Sequence, residues 1–573
     1  MPSLRSFASA LILAALFASR FLQAAASDND WWKHAVIYEV YPRSFGDSNG
    51  DGIGDLNGIT EHLDYLKDLG IDAIWITPFY PSPQVDFGYD ISNYEGIDPQ
   101  FGTMADFDRL VAQAKARGIR VICDLVLNHT SDQHPWFLES KSSRTNPKAD
   151  WYIWHDGKPG GTPPSNPPNN WQSIFGHSAW QFEKPRDQYY YHAFYKQQPD
   201  LNWRNPDVKN AMFDVTRFWM KKGVAGFRLD AVTSLFEDLA LKDEQYVSGI
   251  DAYGERKVSR VYTDNLPEVH DILRELRRVT DEFPGRILIG ETYLPNVGEL
   301  AKMYGRNNDE LQLPMDTQLG FSNKLSVSTF RGKLEDAETK VNGNVPLFVF
   351  ANHDNPRSIN RYGDGKHDGE IARLLATVLL TPRDAALVYY GEELGMVDND
   401  PKRKEDVQDP IGRMGWPKEK GRDGERTPMQ WNADTDAGFS TAKKPWLPVA
   451  SDYKTVNVST EESQPNSLLN YYKALIRLRR SNPQLRDGDF ITVDNSNENV
   501  LSFIRRTKDG SAVLIALNFT AAPQDVSYDL AQHKVTGKHA KLLLASYPNA
   551  SGDTDLTHLA LPPYGSFVGA IEP

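Results

Sequence analysis

The chain has 573 residues, with 63 Lys plus Arg against 77 Asp plus Glu, for a net charge of −14. Hydrophobic residues at 40% and charged residues at 24% are a globular composition, which excludes a disordered or collagen-like chain. The acidic balance argues against a general nucleic-acid binder, and the single cysteine, Cys123, excludes an intrachain disulfide and a Cys-based zinc site.

Arg5 precedes an apolar run from Phe7 to Phe21, and Ala24-Ala25-Ala26 then gives way to the acidic Ser27-Asp28-Asn29-Asp30. A basic start, a short apolar core and small residues are the grammar of a signal peptide, here residues 1–26. The expectation is export with cleavage, to a periplasm or to the medium. No later stretch reaches membrane-spanning length, so no membrane association is expected after cleavage.

Short apolar strands then alternate with amphipathic helices. Val36–Phe45 reads as a strand, and Ile59, Leu63 and Leu66 follow at helical spacing. Ala73–Phe79 is the second strand. Thr103, with Asp106 three residues on, reads as a capping box before a helix carrying Phe107, Leu110, Val111 and Ala114. Arg120–His129 is the third strand. Asn205-Pro206 opens a helix with Val208, Met212, Val215 and Trp219 on its apolar stripe. Gly226–Val232, Arg286–Tyr293, Leu311–Met315, Pro346–Asp354 and Ala385–Glu393 complete eight strands, a (β/α)8 barrel of the TIM type in the α/β class. Residues 131–203, rich in Pro, Gly, Asn and aromatics, interrupt the rhythm and read as an inserted domain after the third strand. From 483 the pattern changes to short alternating strands, a C-terminal antiparallel β-sandwich over 483–573. The barrel is thus expected over 27–130 and 204–482.

Barrels place their chemistry at the C-terminal ends of the strands. Here those ends read Asp124-Leu125-Val126-Leu127-Asn128-His129, Gly226-Phe227-Arg228-Leu229-Asp230, Gly290-Glu291-Thr292 and Ala351-Asn352-His353-Asp354. A single one of these groups could be a satisfied strand-end residue. Together they set carboxylates, two imidazoles and a guanidinium on one face, where unpaired charges would be costly. Such acids suit glycoside cleavage, in which one carboxylate attacks the anomeric carbon and a protonated one serves the leaving oxygen. Arg228 lies two residues before Asp230, on the same strand face, and would hold it ionised. Glu291 has no basic neighbour in its immediate sequence and follows apolar Ile287-Leu288-Ile289, which favours a raised pKa. Chemistry alone leaves the two roles open.

These motifs, in this order, resemble the signature regions of the α-amylase family (glycoside hydrolase family 13), over essentially the whole mature chain. The resemblance implies Asp230 as nucleophile, Glu291 as acid/base and Asp354 as transition-state stabiliser, with Arg228, His129 and His353 contacting the sugar. Gln198-Pro199-Asp200-Leu201-Asn202 and Arg426-Thr427-Pro428-Met429-Gln430-Trp431 resemble markers of its oligo-1,6-glucosidase and α-glucosidase (maltase) branch. That branch implies that Asp86 and Arg426 clamp the terminal sugar's 4-hydroxyl and that Tyr89 stacks beneath the sugar. It also carries a Ca2+ loop after its first strand. Asp47-Ser48-Asn49-Gly50-Asp51-Gly52-Ile53-Gly54-Asp55 sets oxygen ligands at alternate positions, as a hard cation requires. Gly58 stands where an EF-hand would have its last Glu, so this is not an EF-hand. The implied ligands of a structural Ca2+ are Asp47, Asn49, Asp51, Asp55 and the Ile53 carbonyl; no organic cofactor is implied.

The function expected is an exported, retaining, exo-acting α-glucosidase that releases glucose from maltose and short gluco-oligosaccharides, with sucrose a further substrate. In the resembling branch Ala after the nucleophile, here Ala231, accompanies α-1,4 preference and Val accompanies α-1,6. The rivals are an oligo-1,6-glucosidase, a glucosyl-transferring or trehalose synthase-like relative, and a non-catalytic binding relative; the retained acids argue against the last. His62 reads as a surface residue, Cys123 as a buried apolar group, and Asn457, Asn518 and Asn549 begin glycosylation sequons.

Overall fold

A computed structural model describes residues 29–572; the signal-peptide reading of 1–26 lies outside the described residues. Eight parallel strands close into a barrel: β1 (Val36–Val40), β2 (Ala73–Ile76), β3 (Arg120–Val126), β4 (Gly226–Asp230), β5 (Ile287–Gly290), β6 (Leu313–Asp316), β7 (Leu347–Val349) and β8 (Ala385–Tyr389). Each strand pairs with its sequence neighbours, and β8 returns to β1.

The period-2 alternation of a strand explains the barrel's interior. Ile37, Trp75, Ile122, Ile287, Ile289, Leu313, Val349 and Leu387 pack into one apolar plug. Two residues further along the same faces stand Glu39, Asp124 and Glu291, and Gly226 is followed at the same spacing by Arg228 and Asp230. The interior is therefore apolar below and ionic at the C-terminal mouth.

Thr103 accepts from the Asp106 amide while the Asp106 carboxylate accepts from the Thr103 amide, which completes the capping box of Met104–Ala116. Asn205 caps Pro206–Lys221, whose stripe of Val208, Met212, Val215 and Trp219 is buried. Most strands end before their expected limits: β2 stops at Ile76, β5 at Gly290, β7 at Val349 and β8 at Tyr389, so Glu291, His353 and Asp354 follow their strands rather than lie in them. β1 stops at Val40, because Pro42, which lacks an amide hydrogen, opens a helical turn over Pro42–Phe45. β3 ends at Val126 and β4 at Asp230, so His129 and Ala231 lie in the loops above them. His62 is no surface residue. It breaks the first helix into Leu56–Glu61 and Leu63–Leu69, and its ring stacks on Trp431 at 3.6 Å between centroids.

Between β3 and its returning helix lies an excursion with a three-stranded antiparallel sheet (Trp154–His155, Gln188–Tyr191, Trp180–Glu183) and its own core of Trp171, Trp180, Tyr189 and Tyr191. From Asp489 onward a six-stranded antiparallel sheet and a two-stranded one enclose a separate apolar cluster. Among the described residues no helix is long and apolar enough to cross a membrane.

Candidate active site

Arg228 organises the barrel mouth. Its side chain is fully buried, and β4 lies between β3 and β5, in register with Asp124 on one side and Ile289 on the other. Its Nη1 donates to Asp124 Oδ1 at 3.1 Å and to Asp230 Oδ1 at 2.5 Å, and its Nη2 donates to Glu291 Oε1. Glu291, which has no basic neighbour in its immediate sequence, nevertheless has a basic partner here. The cation reaches it from the neighbouring strand, which inspection of Glu291's own sequence neighbours does not show. The other Glu291 oxygen accepts the Ala231 amide at 2.7 Å.

One buried guanidinium thus faces three carboxylates. Burial raises Asp230 and Glu291 to about 7 each, partly offset by Arg228, with repulsion from the other acids added. Burial lifts Asp124 to about 6, against the pull of Arg228. The expectation that Arg228 holds Asp230 ionised is not met, because burial outweighs the cation; the two carboxyls titrate as one pair near neutrality, and their shifts do not by themselves divide the roles.

Asp354 is the opposite case. Burial opposes its charge, but His353, Arg422, Arg426 and Arg228 outweigh burial and hold the carboxyl well below the usual range. Arg422 Nη1 and Arg426 Nη2 both donate to Asp354 Oδ1 at 2.8 Å.

The expected Asp86–Arg426 pair is not formed. Arg426, almost fully buried, gives its remaining bond to the His353 carbonyl at 2.7 Å. Asp86 is met instead by Arg422 Nη2 at 2.8 Å, and Asp409 braces Arg422 from behind through Nε at 2.8 Å. Arg422 stands four residues before Arg426 in the same loop, in Gly421-Arg422-Asp423, and only the fold tells the two apart. Gln198 was also missed as a functional residue: its amide bridges Asp86 Oδ2 at 3.1 Å and His129 Nε2 at 3.0 Å. Burial lowers His129 to about 3, so its ring is neutral. Tyr89 lies flat against His353, with centroids 5.3 Å apart and planes within 8°.

Part of this constellation lines one cavity of about 630 Å3, whose walls do not include the expected sugar contacts Arg228, His353 and Arg426. Asp86, Arg422, Tyr89 and His129 surround one part of it, with Asp230, Glu291 and Asp354 among its walls; the lining also includes Phe175, Phe194, Tyr293 and Phe321. Ala231 lines it in the left-handed conformation (φ 44°, ψ 37°), a strained position for a side chain with a Cβ. The expected metal ligands do not join this site. Asp47 accepts the amides of Asn49, Gly50 and Gly52, and Asp55 caps the next helix through Gly58. Among the described residues no three His, Cys, Asp or Glu side chains group as a metal cluster.

The α-amylase catalytic-domain family model matches residues 39–488, from within β1 through the rest of the barrel and its insertion. The chain belongs to the α-amylase family. The maltogenic amylase C-terminal domain model matches residues 490–568. A probable α-glucosidase of Rhizobium meliloti is 44% identical over 490 residues, covering 83% of this chain and 87% of its own. An oligo-1,6-glucosidase of Heyndrickxia coagulans is 39% identical over 562 residues, covering 92% and 97%. Among solved structures, an isomaltulose synthase variant from Erwinia rhapontici NX5 in complex with sucrose superposes with a TM-score of 0.84 at 36% identity, covering 95% and 99%. This α-amylase family member is a glycoside hydrolase, and the relatives it resembles include proteins named α-glucosidase and oligo-1,6-glucosidase.

Proposed function

We propose that the chain is an exo-acting, retaining α-glucosidase that removes terminal α-1,4-linked glucose from maltose and short oligosaccharides. The Arg422–Asp86 salt bridge carries the reading. It sets a buried charged pair across the cavity that also holds Asp230, Glu291 and Asp354. A glucose lodged there would meet hydrogen-bonding charges where a longer chain would continue, so cleavage is confined to chain ends.

In this reading Asp230 attacks the anomeric carbon as its carboxylate. Glu291, protonated, gives its proton to the leaving oxygen, and later takes one from the water that releases glucose. Asp354 stays ionised because two arginines hold it, and stabilises positive charge on the sugar ring. Arg228 keeps the pair from carrying two protons at once. Rates on maltose, isomaltose, sucrose and trehalose, measured side by side, test the assignment: maltose is expected to lead, and a preference for any other sugar would overturn it.

A second reading is glucosyl transfer or sucrose isomerisation. Phe175, Phe194, Tyr293 and Phe321 around the cavity favour it, since apolar walls disfavour water as acceptor. Product analysis on sucrose separates the two: free glucose and fructose fit hydrolysis, an isomeric disaccharide fits the alternative.

We also propose export by the N-terminal segment and a structural Ca2+ at residues 47–55. The alternating oxygens support the metal. Asp47, Asn49, Asp51 and Asp55, with the Ile53 carbonyl, would hold it, and it would brace the loop above β1 without entering the chemistry.

A further inference from the structure

Beneath the cavity floor Glu39 and His353 form a fully buried pair. Glu39 Oε1 lies 2.6 Å from His353 Nδ1 and accepts the His353 amide at 3.3 Å, while Glu39 Oε2 has no partner. On the other side of the ring, His353 Nε2 lies 2.8 Å from the Tyr89 hydroxyl and 3.2 Å from Asp354 Oδ2. The ring cannot turn. Tyr41 and Tyr89 stack on it at 5.9 and 5.3 Å, and Trp75 meets its edge at 5.9 Å. Only the position of its proton remains to be set.

The neighbours set it. Asp124 accepts from Arg228, so it is the acceptor for the single Tyr89 proton, at 2.9 Å. The Tyr89 oxygen must then accept from His353. Asp354, held ionised by two arginines, is likewise an acceptor for Nε2. Both demand an Nε2–H. We propose that Glu39 is a positioning residue that fixes this tautomer: its neutral carboxyl donates O–H to Nδ1, which keeps the ring proton on Nε2, aimed at Tyr89, Asp354 and the sugar hydroxyl bound beside them. The role toward the sugar rests on the α-glucoside reading above; the tautomer does not.

Charge and burial agree with the geometry. An ionised Glu39 would leave a charged oxygen buried and bare, whereas a carboxylic acid leaves only a carbonyl. Burial raises Glu39 and lowers His353, which places the shared proton on the carboxyl. Arg228 pulls Glu39 the other way while Asp354 and Asp124 push with burial, and the Arg228 Nη donors are engaged by Asp124, Asp230 and Glu291. Facing His353, Asp354 favours a charged ring, and Arg426, Arg228 and Arg422 oppose it.

The test compares Glu39→Gln with Glu39→Leu, and reads the ring proton directly in the wild type. Gln offers an N–H to Nδ1 in place of the O–H, so E39Q should stay close to wild type in kcat/KM on maltose. Leu offers no donor; E39L should lose about 10–100-fold, mostly in kcat, with its melting midpoint retained. NMR of 15N-histidine-labelled wild type, with His353 assigned by its loss in His353→Asn, should show Nε2 protonated and Nδ1 bare from about pH 5 to about pH 8. An active, folded E39L, an E39Q as impaired as E39L, or a protonated Nδ1 would overturn the proposal. Should E39L fail to fold, the spectrum and E39Q still decide. Absence of maltose hydrolysis by the wild type would refute the substrate reading instead, and the spectrum would still report the tautomer.

Discussion

Arg422 Nη2 rests 2.8 Å from Asp86 Oδ1, while Arg426, four residues later, faces away from Asp86 toward Asp354 and the His353 carbonyl. The two arginines therefore do different work, which a double-mutant cycle can read. Asp86→Ala and Arg422→Ala should each cut kcat/KM on maltose by about 10–100-fold, the cost of a charged hydrogen bond of roughly 1.5–3 kcal/mol. Their coupling should reach about 1 kcal/mol or more, and that between Asp86 and Arg426 should be much smaller. Strong coupling of Asp86 to Arg426 alone would reverse the assignment.

Asp230 and Glu291 both lie near 7, so the pH profile should be bell-shaped about neutrality. Below that range the nucleophile takes up a proton and activity falls; above it the acid loses its proton and activity falls again. The two limbs belong to the pair, since both carboxyls share Arg228. Asp354 stays ionised throughout and adds no limb. Glu291→Gln, assayed on an aryl glucoside whose leaving group needs no proton, should lose the alkaline limb and keep the acid one. An alkaline limb that survives this change belongs to another group.

How much of this was open to inspection in the sequence depended on whether the cause was local. Strand alternation carries Ile122 to Asp124 and Ile289 to Glu291 without knowledge of the fold, and caps such as Thr103 and Asn205 are spelled within a few residues. The Arg228–Glu291 contact crosses between strands 63 residues apart, and Arg422 and Arg426 are equivalent as letters. His62 has the helical spacing of a surface residue, but Trp431, far along the chain, folds back to cover it.

Ala231 has both a specificity and a backbone consequence. Its left-handed φ of 44° is costly for a β-branched residue, and its amide holds Glu291. Ala231→Val should lower maltose turnover, shift the maltose-to-isomaltose ratio toward isomaltose, and cost about 1–3 kcal/mol of stability. Ala231→Gly should retain both fold and activity. Kinetics on the two disaccharides with thermal melts check this; a ratio unmoved by valine would remove Ala231 as the determinant.

Chelation should lower the melting midpoint more than it lowers activity at room temperature, because residues 47–55 do not line the catalytic cavity. A bound ion at a hundredfold excess over its dissociation constant contributes about 2.7 kcal/mol. An unchanged midpoint with EDTA, together with metal-free elemental analysis, would remove the Ca2+ from the account.

The most direct test of the central claim is proton NMR of the sugars released from methyl α-maltoside in the first moments of reaction. Removal of the non-reducing glucose with retention should give α-glucose and methyl α-glucoside, with β-glucose appearing only as mutarotation proceeds. Release of β-glucose first would contradict a double displacement at Asp230, and absence of any glucose would contradict an exo-acting α-1,4-glucosidase.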